Sequence, residues 1–221
     1  MTNSPIFEPP RFIAIEGPIR VGKTSLADLL AARLNAVRLR DVEDNPFLES
    51  FYKDKPGAAF QAQLYFLMER FRQWSALDLA AMANRTVISD YLFEKDKMFA
   101  YLNLSDAELE LYNRYYELLA DRVPVPDLVI YLQARTETLR QRIARKNVPS
   151  EHGISDEYLE EVVKAYEYFF FHYKSSDLLV IETSEIDFVD RNEDLEELLQ
   201  RLSRPVKGTQ YFLPLGSASA D

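Results

Sequence analysis

Residues 17–24 read Gly17-Pro18-Ile19-Arg20-Val21-Gly22-Lys23-Thr24, which fits the pattern G-x-x-x-x-G-K-[ST]. An apolar, β-prone run, Phe12–Glu16, precedes this stretch, and a run with helical spacing follows it. A strand, a glycine-bounded loop and a helix in this order predict a phosphate-binding loop. Its backbone N–H groups and the helix N-terminus would bind the phosphates of a nucleotide.

The loop also carries side chains suited to a nucleoside triphosphate. Lys23 would reach the β- and γ-phosphates, and the hydroxyl of Thr24 would bind Mg²⁺. We predict that the nucleotide contacts the whole loop and the residue after it: Gly17, Pro18, Ile19, Arg20, Val21, Gly22, Lys23, Thr24 and Ser25.

Composition narrows the class of protein. The 221 residues are 47% hydrophobic, which predicts one globular domain over residues 1–221. With 26 basic and 36 acidic side chains the net charge is −10, which disfavours nucleic acid or an anionic membrane as partner. A small anionic ligand in a local basic pocket stays compatible with this charge. The absence of cysteine excludes disulfides, a thiol nucleophile and a cysteine metal site.

The chain shows no signal peptide and no apolar run of the ~18 residues that a membrane span needs. We therefore expect a cytoplasmic location. The small polar residues at the end and the first residues predict flexible termini, about 1–10 and 214–221.

Short apolar runs alternate with longer amphipathic stretches along the chain. The predicted strands are Phe12–Glu16, Ala36–Leu39, Thr86–Ser89, Leu128–Leu132 and Leu178–Ile181. The predicted helices are Lys23–Leu34, about Ala58–Ala83, Glu94–Leu102, Asp106–Asp121, Thr136–Arg145, Asp156–Tyr173 and Asp194–Leu202. This alternation predicts an α/β fold with a five-stranded parallel sheet and helices on both faces.

Among phosphate-loop proteins, a GTPase should show an Asn-Lys-x-Asp guanine-binding motif, and the chain has none. Motor and transport ATPases are usually longer. Small-molecule kinases have about this length and close a mobile basic lid over the phosphates, so this class fits best.

Further motifs follow the loop in a fixed order. They are Ile15-Glu16-Gly17-Pro18-Ile19 with Val21-Gly22-Lys23-Thr24, Asn45-Pro46-Phe47-Leu48 with Phe51-Tyr52, Gln63-x-x-Phe66-Leu67-x-x-Arg70, Ser89-Asp90-Tyr91 with Lys95-Asp96, Asp127-Leu128-Val129-Ile130-Tyr131-Leu132, Glu151-His152-Gly153-Ile154-x-x-x-Tyr158-Leu159 and Gly208-Thr209-Gln210-Tyr211-Phe212. With them the chain resembles the deoxynucleoside kinase family, particularly the bacterial deoxyadenosine/deoxyguanosine type, over nearly its whole length. The resemblance implies a three-layer P-loop kinase fold, ATP and Mg²⁺ as cofactors, a 2′-deoxynucleoside substrate and a role in nucleotide salvage. It also implies a homodimer with the stretch from Ala58 to Ala83 at or near the interface.

A base-binding site is implied around one helix. Gln63 and Arg70 lie two helical turns apart and so share a face, and a glutamine amide can both donate to and accept from a base. By resemblance, Gln63 contacts the base, Arg70 and Asp96 border its far side, and Phe66 forms an aromatic wall. By the same resemblance, the pair of Arg70 and Asp96 suggests a purine or cytosine base. An ordinary polar helix face, with Phe66 in the core, is the structural alternative.

The resemblance also assigns the sugar site and the lid. Tyr52 and Glu151 would bind the 3′-hydroxyl, which can both donate and accept. Within an arginine-bearing lid at about 144–154 and the helix before it, Arg142 and Arg145 would contact the transferring phosphoryl group. Stabilisation of the helix dipole is the alternative role for these cations. Where family lids often continue Arg-Gly-Arg, the chain reads Lys146-Asn147-Val148-Pro149, so one basic group is missing.

Two further positions concern the metal and the phosphate loop. Asp90 ends the third predicted strand, where a carboxylate would hold Mg²⁺ through water. Tyr91 follows it where related kinases usually have arginine. Arg20 stands where similar loops usually have glycine, and it could add charge to the phosphate site or crowd it.

The sequence offers two carboxylates for the general base. In the family it is a glutamate at the end of the second strand, a place that falls on Arg40 here, with Asp41 and Glu43 nearby. Strand alternation prevents Arg40 and Asp41 from both pointing inward. We favour Asp41 over Glu43. These departures leave two alternatives to an active deoxynucleoside kinase, namely a weak or inactive nucleotide-binding relative and a nucleoside monophosphate kinase.

Overall fold

The computed structural model describes residues 11–77 and 85–214. The strands are β1 (Phe12–Glu16), β2 (Val37–Leu39), β3 (Val87–Ser89), β4 (Leu128–Gln133), β5 (Asp177–Glu182) and β6 (Thr209–Phe212). The helices are α1 (Lys23–Leu34), α2 (Leu48–Tyr52), α3 (Ala58–Ser75), α4 (Lys95–Asn103), α5 (Asp106–Ala120), α6 (Thr136–Lys146), α7 (Asp156–His172) and α8 (Asn192–Leu202), with a 3₁₀ turn at Pro149–Glu151.

One sheet holds the six strands in the order β2-β3-β1-β4-β5-β6, and every neighbouring pair is parallel. The α/β class and the parallel sheet are confirmed, but the prediction of five strands was wrong. The missed strand, β6, pairs with β5 alone at the edge of the sheet. Its four residues alternate between exposed and half-buried, so its sequence lacks the apolar run that marked the buried strands.

Each face of the sheet carries its own apolar core. In β1, Phe12 and Ala14 face one core and Ile13 and Ile15 face the other, as the alternation of a strand requires. Residues of α3, α4, α5 and α7 fill the first core, and residues of α1, α6 and α8 contribute to the second. The three-layer arrangement is therefore confirmed.

The predicted helix positions agree closely with the structure where a capping signal exists. Ser105 and Glu108 form a capping box at the start of α5, and the side chain of Ser155 accepts from the N–H of Tyr158 at the start of α7. The helix predicted for Ala58–Ala83 ends at Ser75, and residues 78–83 of that prediction lie outside the described residues. So do the predicted flexible ends, except residue 214.

The short helix α2 and the 3₁₀ turn were not predicted. Each has five residues or fewer, which is too short to show a helical period. In the described ranges, 11–77 and 85–214, there is no helix with the length and hydropathy of a membrane span. The carboxyl ends of β1, β2 and β3 meet at one edge of the sheet, where open α/β sheets place their ligand sites.

Candidate active site

The loop between β1 and α1 has a backbone that requires glycine at both ends. Gly17 has φ 150° and Gly22 has φ 112°, outside the range that most residues adopt. A Cβ at Gly17 would lie 2.3 Å from the carbonyl oxygen of Leu132, and one at Gly22 would lie 2.6 Å from the ring of Phe188. The loop therefore packs closely against β4 at Gly17 and against the segment after β5 at Gly22.

Lys23 lies at the first position of α1 and folds back over the loop. Its Nζ donates to the carbonyl oxygens of Gly17 and Pro18, at 2.7 and 3.0 Å. Burial is the main cause that lowers the pKa of Lys23 to about 8, and the nearby ammonium group of Lys95 acts in the same direction. The ammonium group is thus poorly solvated and positioned for an anion.

Thr24 and Asp90 contact each other directly. The hydroxyl of Thr24 donates to Asp90 Oδ2 over 2.7 Å, and the guanidinium of Arg38 pairs with the same oxygen at 2.7 Å. Burial alone would raise the pKa of Asp90, but hydrogen bonds from Arg38 and Thr24 outweigh it and lower the pKa. The sequence did not identify Arg38 as a site residue, because a position in a short strand does not reveal that its side chain pairs with Asp90.

Asp41 lies just beyond β2 and points into the molecule. Arg70 donates to it through two nitrogens, at 2.8 and 2.9 Å, and Lys95 donates over 3.1 Å. Burial would raise the pKa of this carboxyl, but the two cations hold it well below its usual range. Arg40 instead points outward to Asp28, at 3.0 Å, so Arg40 and Asp41 do not both point inward, although both lie after the last residue of β2. Glu43 is exposed at the edge of the site.

Glu16 and Lys95 complete a buried network that sequence reasoning missed. Glu16 is fully buried and accepts from the N–H groups of Gly17 and Leu92, each at 2.8 Å, and from the hydroxyl of Tyr166 at 2.9 Å. Lys95 lies 3.2 Å from Glu16 and also contacts Asp41, as described above. An acidic residue at the end of an apolar strand was the available signal for Glu16.

A cavity of about 220 Å³ opens between α3, α4 and α7. Gln63, Phe66 and Arg70 line it from one face of α3, which brings together the three residues predicted there. The guanidinium of Arg70 lies over the ring of Phe66, 4.7 Å from the ring centre.

Asp96 lies behind this cavity rather than in its wall. It is fully buried and pairs with Arg70 through Oδ1. Burial is the main cause that raises the pKa of Asp96 to about 6, although Arg70 opposes the shift. Its second oxygen, Oδ2, has no hydrogen-bond partner among the described residues.

A larger cavity of about 910 Å³ lies over the phosphate loop. Its lining includes residues from Ile19 to Ser25, together with Asp90 and Glu151. The two cavities share five lining residues: Ile19, Lys23, Asp41, Leu48 and Tyr52. A ligand in the smaller cavity would therefore face the phosphate loop across Lys23 and Asp41.

The residues predicted for the sugar and the lid also border this larger cavity. Tyr52 and Glu151, the predicted sugar pair, both line it, and burial and the charge of Glu151 raise the pKa of Tyr52. Both oxygens of Glu151 accept from the guanidinium of Arg20, at 2.9 and 2.5 Å. The guanidinium of Arg20 is therefore held against Glu151 in the wall of the larger cavity.

Arg142 and Arg145 occupy different environments. Arg142 donates to the carbonyl oxygens of Val21, Thr183 and Ile186, at 3.2, 2.7 and 3.2 Å. Arg145 is exposed and lies 3.5 Å from the carboxylate of Asp190. Arg142 thus fastens the walls of the cavity, whereas Arg145 has donors that face solvent.

A metal at this site would need ligands from more than the protein. Within residues 11–77 and 85–214, no three histidine or acidic side chains are grouped as a metal site. The hydroxyl of Thr24 and the carboxylate of Asp90 are adjacent oxygen donors, which suits Mg²⁺ shared with phosphate oxygens. The donor set therefore fits a magnesium–nucleotide complex.

Comparison with known proteins places this geometry in a family. Residues 13–207 match the family model described as deoxynucleoside kinase. The chain is 36% identical over 193 residues to the deoxyguanosine kinase of Bacillus subtilis, which covers 85% of this chain and 93% of the relative. It is 34% identical over 206 residues to the deoxyadenosine kinase of Dictyostelium discoideum, which covers 90% of this chain and 81% of the relative.

A solved structure shows the same fold. The deoxyadenosine kinase from M. mycoides with bound dATP superposes with a TM-score of 0.72 at 25% identity and covers 87% of this chain and all of its own. The match of the family model over most of the chain, together with these relatives, leads to one conclusion. The chain belongs to the deoxynucleoside kinase family.

Proposed function

We propose that the chain transfers the γ-phosphoryl group of ATP to the 5′-hydroxyl of a purine 2′-deoxynucleoside. The single observation that carries this proposal is the junction of the two cavities at Lys23 and Asp41. The smaller cavity has the aromatic and amide groups that suit a nucleobase, and the larger one contains the phosphate loop. A 5′-hydroxyl at the junction would lie in line with the terminal phosphate of a donor.

The transfer uses this chain's residues mainly to position groups and to balance charge. A bond forms between the 5′-oxygen and the γ-phosphorus while the bond from that phosphorus to the β–γ bridging oxygen breaks, which leaves ADP. The hydroxyl proton passes to the Asp41 carboxylate. Because Arg70 and Lys95 lower the pKa of Asp41, this carboxyl is a weak base that orients the hydroxyl and accepts the proton late, as a loose transition state allows.

The donor phosphates would be bound by the loop N–H groups, Lys23 and Arg145, which carries the exposed guanidinium beside the larger cavity. Thr24 and Asp90 would hold Mg²⁺, which neutralises charge on the phosphate oxygens when bound. The turn at about 144–154 would close over the donor as a lid. Arg142 would fix the base of that lid, because it already joins three backbone carbonyls.

The acceptor would be bound by residues of the smaller cavity together with Glu151, which lines the larger one. Tyr52 and Glu151 would form hydrogen bonds with the 3′-hydroxyl. Phe66 would stack on the base, and the amide of Gln63 would form hydrogen bonds with the edge of the base.

Arg70 uses three N–H groups on Asp41 and Asp96, which leaves two for acceptor atoms of the base. Purines present such acceptors, and the names of the B. subtilis and D. discoideum relatives support purine deoxynucleosides.

The charge around the smaller cavity favours a neutral acceptor over a nucleotide. The cations Arg70 and Lys95 are already compensated by Asp41, Asp96 and Glu16. An acceptor phosphate would find no uncompensated arginine among the described residues that line this cavity. The comparisons likewise give no support to a nucleoside monophosphate kinase or to an inactive relative.

A coupled ADP-release assay across the four deoxynucleosides and their monophosphates tests the proposal. We expect turnover with deoxyguanosine or deoxyadenosine and none with the monophosphates. Lys23→Ala should lower kcat by at least about 10²–10³-fold. Lys53→Ala, which removes an exposed lysine paired with Glu49 on the surface, is the matched control. Turnover of monophosphates alone would refute the proposal.

We further propose a homodimer in the cytoplasm, with a role in deoxynucleoside salvage. The exposed side of α5 carries an apolar stripe of Leu111, Tyr115 and Leu118, and Met68 is exposed on α3, which packs beside it. An exposed apolar stripe of this kind is typical of a subunit contact. The predicted interface region begins in this same helix α3.

A further inference from the structure

Arg20 is the one basic side chain that the phosphate loop itself supplies between its two glycines. Its backbone lies in the left-handed region, at φ 59°, where residues other than glycine are rare. From there the guanidinium reaches Glu151, 131 residues later in the chain, and donates through Nε and NH2. A strained conformation in a loop of this kind calls for a functional explanation.

The contact joins the two halves of the proposed site. Arg20 lines the larger cavity beside Lys23, and Glu151 lies close to Tyr52, where the two cavities meet. Both carboxylate oxygens of Glu151 are engaged by a single fork. While this pair is formed, the charges of Arg20 and Glu151 compensate each other, and two of the five N–H groups of Arg20 point at Glu151 rather than at a phosphate.

The turn that carries Glu151 lacks cations of its own. Asn147 and Val148 precede the turn, and the nearest lysine or arginine in the sequence is Lys146 at the end of α6. The charge that would meet the terminal phosphate from this side is therefore reduced. Arg20 is located, at the mouth of the same cavity, where it could replace that charge.

We propose that Arg20 is a phosphate-binding catalytic residue that Glu151 holds in reserve until a deoxynucleoside binds. This inference rests on the proposed function. A sugar hydroxyl that donates to Glu151 displaces the guanidinium, and Arg20 turns to the γ-phosphate of the donor, where it stabilises the charge of the transferring group. After the exchange, Glu151 accepts a hydrogen bond from the sugar hydroxyl, and the guanidinium of Arg20 pairs with the phosphate, so neither charged side chain is left without a partner.

The exchange predicts that the two substrates assist each other in binding. A deoxynucleoside releases Arg20 for the donor, and a donor that takes Arg20 releases Glu151 for the sugar, so the effect must be reciprocal. We expect each substrate to raise the affinity for the other about 10-fold, within the usual range of such coupling.

Calorimetry on the full chain tests this prediction with deoxyguanosine and a non-hydrolysable ATP analogue, alone and together. Glycine readily adopts the backbone conformation at position 20. In Arg20→Gly, the factor by which one substrate raises the affinity for the other should fall to about 1, and kcat should fall about 10²–10³-fold. Deoxyguanosine alone should bind more tightly than to wild type, because its site on Glu151 is no longer occupied. A merely structural role for Arg20 would not strengthen that binding.

Two other variants serve as controls. Arg20→Lys keeps the positive charge but lacks the forked guanidinium, so it should retain part of the coupling between the two substrates. This variant also tests the inference if Arg20→Gly fails to fold. Arg135→Ala, a surface arginine paired with Glu185 outside both cavities, should match wild type. If Arg20→Gly keeps either the coupling or kcat within twofold of an active wild type, the inference is wrong while the proposed function stands. If wild type turns over no deoxynucleoside, the proposed function itself fails.

Discussion

Arg70 binds Asp41 through two parallel hydrogen bonds, so one guanidinium both borders the smaller cavity and fixes the carboxylate that faces the phosphate loop. A base bound against Arg70 is thereby linked, through two side chains, to the place where the acceptor hydroxyl must lie. The pairing of α3 with the end of β2 makes base binding and hydroxyl orientation one structural unit.

Asp41→Asn should reduce both turnover and stability. Loss of the base and of hydroxyl orientation should lower kcat about 10²–10⁴-fold, and the uncompensated charge of Arg70 and Lys95 should reduce the free energy of unfolding by about 3 kcal/mol. Steady-state kinetics and urea unfolding measure the two effects. Glu43→Gln, on the exposed side of the same segment, is the control, and an equal loss of kcat there would contradict the choice of Asp41.

The stabilising effect of Asp41 should depend on pH. Folding lowers the pKa of this carboxyl below its ordinary value of 3.8, so its contribution is present above that pH and lost as the pH falls through the folded pKa. The difference in unfolding free energy between wild type and Asp41→Asn should therefore shrink below about pH 4. A difference that stays constant down to pH 2 would argue against this charge pairing.

Activity and stability should respond oppositely to alkaline pH through Lys23. With a pKa of about 8, Lys23 is charged below this pH and loses its charge above it, so kcat/KM for ATP should fall above pH 8. Because folding lowers this pKa from 10.5, the contribution of Lys23 to stability should rise between pH 8 and 10.5.

Kinetic and unfolding profiles from pH 6 to 10 would show both trends. Lys23→Arg, which stays charged over this range, should lose the alkaline decrease in kcat/KM even if its activity is lower. A decrease unchanged in this variant would assign the titration to another group.

Gln63 should control acceptance of the base. Gln63→Leu removes the amide and should lower kcat/KM for purine deoxynucleosides about 10²-fold or more, because buried polar atoms of the base lose their partner. The KM for ATP should stay close to wild type, since Gln63 lines only the smaller of the two cavities. Gln61→Leu, on the exposed side of α3, provides the comparison. Equal effects of the two substitutions would remove Gln63 from the base site.

Leu118→Lys should disrupt the proposed homodimer. This side chain is 69% exposed in the apolar stripe of α5, so a charge there should oppose burial against a second copy. Light scattering should give a mass near twice 25.7 kDa for wild type and a lower mass for the variant. A wild-type protein that is monomeric at high concentration would show that the stripe serves another purpose.

The sequence predicted those parts of the site whose signals are local. The phosphate loop requires a short spacing of glycines, Lys23 and Thr24. Arg40 and Asp41 point in different directions, as predicted, although both lie after the end of β2. Gln63, Phe66 and Arg70 could be grouped because a helix places them on one face.

The parts that sequence reasoning missed depend on contacts between distant segments. Arg38 meets Asp90, and Lys95 meets Glu16, across more than 50 residues. No periodicity identifies such partners, because they meet only when the sheet forms. The sequence did not predict the edge strand β6 for a related reason. Pairing with β5, and not a run of apolar residues, makes this segment a strand.

Glu16 ties together segments that lie far apart in the chain: the phosphate loop at Gly17, the residue Leu92 after β3, and α7 at Tyr166. Since its carboxylate is fully enclosed, loss of either side-chain partner, Lys95 or Tyr166, would leave it less well compensated in the interior. Natural variation within the lineage should consequently exchange positions 16, 95 and 166 as a set, and drift at one of them alone should be rare.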